Sequence, residues 1–397
     1  MKVLLIGGTG LISTAITRQL LQRGDEVTHF NRGRSEARYG TGDAGDAGDG
    51  EVRRLQGDRK DFSRFEAQLQ EAGPFDCVID MICFTPAEAE SLLRAVRGRT
   101  ERLLFCSTVD VYARPAPGYP IREDAPLEGV SAYGKDKARC EALLMAAHAR
   151  GEVPVTVLRP AQTYGEGRDM IHTFGRGTAA FDRLRRGMPV IVHGDGSSFW
   201  VACHIDDVAR GFLGATGNRA AWGKAYNLTG EEWLTWDRYT EVVAEAMGAP
   251  PPRIVHIPTD LLARLVPQRA RILVENFRFP NVFDTTAART DLGFRYTIPF
   301  LEGARRTVAW LDSRGLIDGA ADADPEYDRL LDLWERLGQR MTAELAEGEP
   351  GAPAQAERAW GPRRSRASGA SDPGRGGEQR ATREGVENSE ASRVRDG

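Results

Sequence analysis

Tyr133 and Lys137 stand four residues apart in Ser131-Ala-Tyr133-Gly-Lys-Asp-Lys137, a spacing that puts both side chains on one face of a helix. A phenol with an ordinary pKa near ~10 is a poor base at neutral pH. A neighbouring ammonium favours the phenolate and lowers that pKa, as proton transfer to and from a hydroxyl requires. Ser107 and Thr108 close the apolar run that begins at Leu103, where a strand would present their hydroxyls at its carboxyl end. A second feature is Gly7-Gly8-Thr9-Gly10, which follows the apolar run Val3-Leu4-Leu5-Ile6. After it, Leu11, Ile12, Ala15, Ile16, Leu20 and Leu21 recur at helical spacing. Strand, glycine turn and helix together bring backbone N–H groups and a positive helix terminus to a pyrophosphate. Taken singly, the two features read as an exposed aromatic–lysine pair and a tight βα turn. Their joint occurrence favours the chemical reading.

These residues need a scaffold, and the chain supplies one. A second strand over 26–30 ends at Asn31-Arg32-Gly33-Arg34, where a dinucleotide fold would hold the adenine-side ribose. An acid there would take the ribose hydroxyls. Asn31 with Arg32 and Arg34 suits a 2′-phosphate instead, so the preference leans to NADP over NAD. A third strand over 51–55 runs into Gln56-Gly57-Asp58-Arg59. A helix over 62–72, a fourth strand over 75–81 and a helix over 87–96 follow, the last entered through Thr85-Pro86. The fifth strand leads to Thr108, and the Tyr133 helix runs to about residue 150. This alternation predicts an α/β fold: a Rossmann-type, doubly wound parallel sheet.

Beyond Gly165 the alternation is lost. Residues 1–165 plus about 200–220 read as the dinucleotide-binding domain. Residues 166–199 and 221–346 read as a smaller carboxyl-terminal substrate-binding domain that closes a cleft. Arg271 and Arg278 are its candidates for gripping a substrate diphosphate, since a guanidinium suits phosphate oxygens. The apolar stripe over 326–346 suits a core or homodimer contact. Residues 40–50 form a Gly/Asp/Ala insertion, and 347–397 have too few large apolar residues to order themselves, which predicts a disordered tail.

A formal charge of -4 gives no polyanion-binding signature, so nucleic acid is not an expected partner. No apolar run approaches membrane-spanning length, and no signal peptide is evident. Five scattered cysteines, with no metal-ligand spacing among them or the histidines, read as reduced thiols of a cytoplasmic protein without a metal site.

The chain resembles the extended short-chain dehydrogenase/reductases, specifically the NAD-dependent epimerase/dehydratase group acting on nucleotide sugars, over roughly residues 1–314. The resemblance rests on GGTGLIS, on Gly57-Asp58, on CSTVDVYA from Cys106 and on EDAP from Glu123. Tyr133-x-x-x-Lys137, Leu158-Arg-Pro-Ala-Gln-Thr-Tyr-Gly165, His204-Ile-Asp-Asp-Val208 and Asp291-Leu-Gly-Phe294 complete it. It implies a nicotinamide cofactor on Gly7, Gly8, Thr9, Gly10, Leu11, Ile12, Asn31, Arg32, Arg34, Asp58, Arg59, Lys137 and Pro160. Thr108 would bond the substrate hydroxyl, Tyr133 act as acid/base, and Lys137 also hold the nicotinamide ribose. Asp58 would contact the adenine, and residues 159–165 line the cleft. Ser107, Asp110 and Gln162 join the substrate side.

Four positions depart from the family pattern. Ser13 replaces the third glycine, which predicts slightly looser helix–strand packing. Asn31 replaces the acid. Asp80-Met-Ile82-Cys83 stands where small residues usually face the cofactor. Val109 follows Thr108 where sugar-nucleotide dehydratases carry an acid, leaving only Asp110, which weakens a dehydratase reading. The leading expectation is reversible oxidation of a sugar-nucleotide hydroxyl with hydride returned for epimerisation. The alternatives are net reduction of a keto-sugar or other carbonyl by NADPH, and a non-catalytic or RNA-binding atypical relative.

Overall fold

The computed structural model describes residues 1–33 and 52–347. Arg34, the 40–50 insertion and the tail beyond 347 lie outside the described residues. Met1–Gln339 form one compact unit. Arg340–Gly397 form a second, of which only a helix end is described, with Arg340 paired to Glu344.

The strands run β1 Lys2–Ile6, β2 Glu26–Asn31, β3 Arg53–Gln56, β4 Cys77–Asp80, β5 Leu103–Cys106, β6 Val155–Pro160, β7 Gln162–Tyr164, β8 Val190–His193, β9 Phe199–Trp200, β10 Ala202–His204, β11 Lys224–Leu228, β12 Leu234–Thr235 and β13 Ile254–Ile257. The helices are α1 Leu11–Gln22, α2 Phe62–Ala72, α3 Pro86–Val96, α4 Ala132–Ala149, α5 Ala179–Arg185, α6 Ile205–Ala215, α7 Trp236–Ala246, α8 Thr259–Leu265, α9 Pro267–Ile272, α10 Thr286–Leu292, α11 Phe300–Asp312 and α12 Pro325–Glu347.

Seven parallel strands form the central sheet in the order β11-β6-β5-β4-β1-β2-β3. This is the expected doubly wound Rossmann-type α/β fold. The order reverses between β1 and β4, so a crevice opens at the carboxyl ends of these two strands. Three short pairs, β7 with β10, β8 with β13 and β9 with β12, lie outside that sheet. One strand departs from its expected place. Lys224–Leu228, assigned by sequence to the smaller domain, is the edge strand of the main sheet, in register with β6.

β1 shows why the sheet is a two-faced core. Val3 and Leu5 enter one apolar cluster with the helices α1 and α6, while Leu4 and Ile6 enter the opposite one with α2, α3 and α4. Alternation of side chains along an extended chain dictates that division. A third cluster, running from Tyr164 to Leu330, is built from the carboxyl-terminal helices around Trp236, Phe277 and Phe300. It carries a set of residues that the sequence placed beyond the βαβ rhythm.

Burial holds three histidines, His29, His172 and His193, at a pKa of about 4. In the unfolded chain the same groups titrate near ~6.5, so the unfolded state takes up protons first as pH falls. Their contribution to stability is complete above about pH 6.5 and is lost on the way down to about pH 4, at up to ~1.4 kcal/mol per pH unit for each histidine. Urea midpoints measured at pH 7.5, 6 and 5 are therefore expected to fall, with most of the loss below pH 6.5. A midpoint that is flat from pH 7.5 to 5 contradicts the burial of these imidazoles.

Candidate active site

The glycine turn has specific steric reasons. Gly7 has φ +86°, and a Cβ there would lie 2.6 Å from Cγ2 of Ile82. The isoleucine that departs from the small residues of the family pattern thus fills the space beside Gly7. A Cβ on Gly8 would run into the imidazole of His29, which is itself tied to Thr17 Oγ1 at 2.8 Å. Ser13, expected to loosen the packing, is buried and donates its hydroxyl to the Gly7 carbonyl at 2.7 Å. It locks the turn, which corrects that expectation. Gly10 is the N-cap of α1 and offers no side-chain cap, so the first-turn N–H groups remain for a ligand.

A cleft of about 1060 Å³ opens at this turn. Gly7, Thr9, Gly10, Leu11, Asn31, Arg32, Asp58 and Arg59 line it, together with Lys60, Ile82 and Phe84. Gly8, Ile12, Lys137 and Pro160 do not. Asn31 Oδ1 accepts from the Gly33 N–H at 3.1 Å, and Asp58 Oδ1 from the Lys60 N–H at 3.0 Å, so both side chains shape their loops. Arg32 is exposed at the rim. Arg59 is more constrained: it is buried, donates to Asp80 Oδ2 at 2.6 Å and to the Glu88 carbonyl at 3.0 Å. Asp80, unusual at that strand end, is therefore the counter-charge of Arg59.

The candidate acid–base residues lie close together, Tyr133 and Lys137 on one helix as the four-residue spacing predicts. Thr108 is the N-cap of a short turn, Val109–Val111, just past β5, and its hydroxyl accepts from the Asp110 N–H at 3.2 Å. The Thr108 hydroxyl acts on the Tyr133 phenol in the direction that favours its ionised form. Lys137 is 1% exposed; its ammonium donates to the Cys106 carbonyl at 2.6 Å and lies 6.0 Å from the Tyr133 ring centroid. Phe84 links this group to the cleft, with its ring 6.3 Å from that of Tyr133 and 5.0 Å from the Lys137 nitrogen. Gly134 makes the approach possible. A Cβ there would strike the Asp110 carbonyl oxygen, so α4 can rest on the 108–110 turn only with glycine at this position. Sequence reasoning passed over Gly134, although a glycine in the first turn of a helix is a signal of close contact.

One electrostatic expectation is corrected. Although 42% of Tyr133 is exposed, burial of its phenol end raises the pKa, with Cys106 and Asp110 adding to the shift and the Thr108 hydrogen bond opposing it. The phenol is therefore protonated at neutral pH, and the lowering expected from Lys137 does not prevail.

Several residues assigned to the substrate side or the cleft wall make internal hydrogen bonds. Ser107 donates to Glu141, which forms a two-pronged pair with Arg159 at 3.0 and 2.6 Å. Arg159, expected in the cleft wall, is 3% exposed and also bonds Tyr112 Oη at 2.8 Å. Tyr112 continues to Asn227 Oδ1 at 2.6 Å. Asp110 accepts from Asn276 Nδ2 at 2.6 Å, and burial raises its pKa. Gln162 lies on β7, half-buried. Arg278 pairs with Asp260 at 3.0 Å, Arg271 is exposed on α9, and neither lines the cleft. Residues unforeseen from sequence supply the facing wall: Arg168, Arg176, Trp310 and Arg314.

A sequence profile of the NAD dependent epimerase/dehydratase family matches residues 3–229. The chain belongs to this family. Among its relatives, chloroplast stem-loop binding protein of 41 kDa b from Arabidopsis thaliana is 32% identical over 260 residues, 64% of this chain and 65% of that protein. The chain thus spans just under two thirds of that relative. The 2'-dehydrokanamycin reductase of Streptomyces kanamyceticus is 28% identical over 284 residues, 72% of this chain and 77% of that one. UDP-glucuronic acid 4-epimerase from Bacillus cereus, solved in complex with NAD, superposes with a TM-score of 0.62 at 19% identity, covering 79% of this chain and 99% of that one. The uncapped N terminus of α1 at the cleft suits a dinucleotide diphosphate, in keeping with that family. Among the described residues no helix is long and apolar enough to cross a membrane, and no group of His, Cys, Asp and Glu could hold a metal.

Proposed function

We propose that the protein is an NAD(P)-dependent oxidoreductase or epimerase acting on a hydroxyl of a nucleotide sugar, with Thr108, Tyr133 and Lys137 as its acid–base machinery. The observation that carries this reading is the buried Lys137 ammonium 6.0 Å from the Tyr133 ring, with Phe84 packed against both and lining the cleft at the glycine turn. The nicotinamide, when bound, accepts or returns a hydride. Tyr133 Oη moves the proton at the substrate oxygen, and the Thr108 hydroxyl orients that oxygen. Lys137 Nζ is fixed by the Cys106 carbonyl and has further donors for the ribose. The carboxyl-terminal cluster of α7, α8 and α11 serves as the substrate domain, in a cytoplasmic protein acting on a small molecule.

A second reading, net reduction of a keto-sugar or other carbonyl, is favoured by one observation. Desolvation pushes the Tyr133 pKa up, which favours the phenol as a proton donor to a carbonyl oxygen. The deciding assays are stereochemical scrambling of nucleotide sugars and NADPH oxidation with keto-sugars, after identifying any dinucleotide released on denaturation. Retained NAD+ supports the epimerase, and a dissociable NADPH the reductase. A protein inactive in both assays that shifts a structured RNA would displace the enzymatic reading in favour of the binding one.

The NADP preference rests on Asn31 and Arg32 at the end of β2. Arg32→Ala is expected to weaken NADP binding by about tenfold and NAD binding little, because a 2′-phosphate is the group a guanidinium reaches there. Calorimetric titration of both cofactors checks this. Equal losses, or a parent protein that prefers NAD, contradict it.

A further inference from the structure

Six cationic side chains line the cleft, Arg32, Arg59, Lys60, Arg168, Arg176 and Arg314, against three carboxylates, Asp58, Glu88 and Asp169. Two of the cations are already engaged: Arg59 pairs with Asp80, and Arg176 lies 3.7 Å from Asp169. Glu88 is taken up in capping α3 through the N–H groups of Phe84 and Thr85. Arg168 differs from these. It is exposed, borders the same cleft as Gly10 and Leu11, and forms no ion pair among the described residues.

Its place is set by a chain of ion pairs. Arg18 on α1 pairs with Asp206 at the start of α6. Asp206 also holds Arg306 of α11 at 3.0 Å, and Arg306 holds Glu166 at 2.7 Å. Glu166 is bonded as well to His204 Nε2 at 3.1 Å. The turn that follows is closed by the Arg168 N–H on the Gly165 carbonyl at 3.3 Å. Gly165, at φ +150°, packs so tightly on Ile205 that a Cβ would lie 2.7 Å away. The segment carrying Arg168 is thus pinned to α1 itself, the helix whose N terminus opens on the cleft.

We propose that Arg168 is a ligand of the dinucleotide diphosphate, gripping it from the carboxyl-terminal wall opposite the N terminus of α1. The inference rests on the cofactor reading above. A diphosphate carries two charges, and the uncapped helix terminus meets only one side of it. A guanidinium on the other side supplies paired donors to the remaining oxygens. A nucleotide-sugar substrate also contains a diphosphate. Arg168 is assigned to the cofactor because it shares its cleft with the glycine turn, whereas Thr108 and Tyr133 do not line that cleft.

Calorimetric titration of the full chain with NAD+, NADP+, ADP-ribose and UDP tests the assignment in the parent protein, Arg168→Ala and Arg168→Lys. Arg168→Ala is expected to weaken NAD+, NADP+ and ADP-ribose alike, by about tenfold, and to leave UDP unchanged. Arg168→Lys should recover part of the loss, since it keeps the charge without the planar fork. ADP-ribose bound as tightly by Arg168→Ala as by the parent overturns the proposal and leaves the cofactor reading standing. A loss confined to NADP+ overturns it in favour of the 2′-phosphate, and a loss confined to UDP in favour of the substrate. A parent protein that binds no dinucleotide overturns both.

Discussion

Tyr133→Phe is expected to lower turnover by roughly 10²–10⁴-fold, the usual range for a positioned acid or base, while cofactor affinity hardly changes. The substitution keeps the ring and its contact with Phe84, and removes only the phenol oxygen. Lys137→Ala should damage both turnover and cofactor binding, because its ammonium lies under Tyr133 and is placed to meet the ribose. Thr108→Val should act mainly on turnover. The three losses should not add, since each disables one proton path. Measured on candidate nucleotide sugars and on NAD(P)H oxidation with keto-sugars, near-full activity of Tyr133→Phe would refute the assignment.

Arg159→Met is expected to destabilise the fold by about 3–5 kcal/mol, the scale for stripping one partner from a buried ion pair. Glu141, 3% exposed, would keep a charge with no guanidinium to answer it. Tyr112 would also lose its guanidinium partner, while Ser107 would keep its bond to Glu141. Replacing both members, as Arg159→Met with Glu141→Leu, should recover a large part of the loss, because the uncompensated charge is gone. Urea unfolding followed by tryptophan fluorescence provides both numbers. A single variant within about 1 kcal/mol of the parent would show that Arg159 is solvated, and would return it to the cleft wall where its sequence motif placed it.

The residues legible from sequence share a property: their function follows from local spacing. Gly7, Thr9, Gly10 and Leu11 lie on a strand–turn–helix whose geometry is set within a dozen residues, and the structure puts them in one cleft. Tyr133 and Lys137 meet because a helix brings every fourth residue to one face. Residues read by their neighbours in a motif fared differently. Ser107 was placed with substrate and Arg159 in the cleft wall, yet both bond Glu141. Arg271 and Arg278 were chosen for charge alone, and charge carries no information about which way a surface points.

By itself, the sequence determined the α/β class, the glycine turn between β1 and α1 and the shared helix face of Tyr133 and Lys137, since backbone periodicity and steric need encode each of them within a single segment. Tertiary structure alone decided the rest. It placed Lys224–Leu228 on the edge of the sheet, more than sixty residues after its neighbour β6. It set the surroundings of the Tyr133 phenol, whose desolvation pushes the pKa up where a nearby ammonium alone suggested lowering. It also turned Arg168 toward the cleft through ion pairs linking α1, α6 and α11. Burial and long-range charge pairing depend on which segments meet in space, and a pattern within one segment does not contain that.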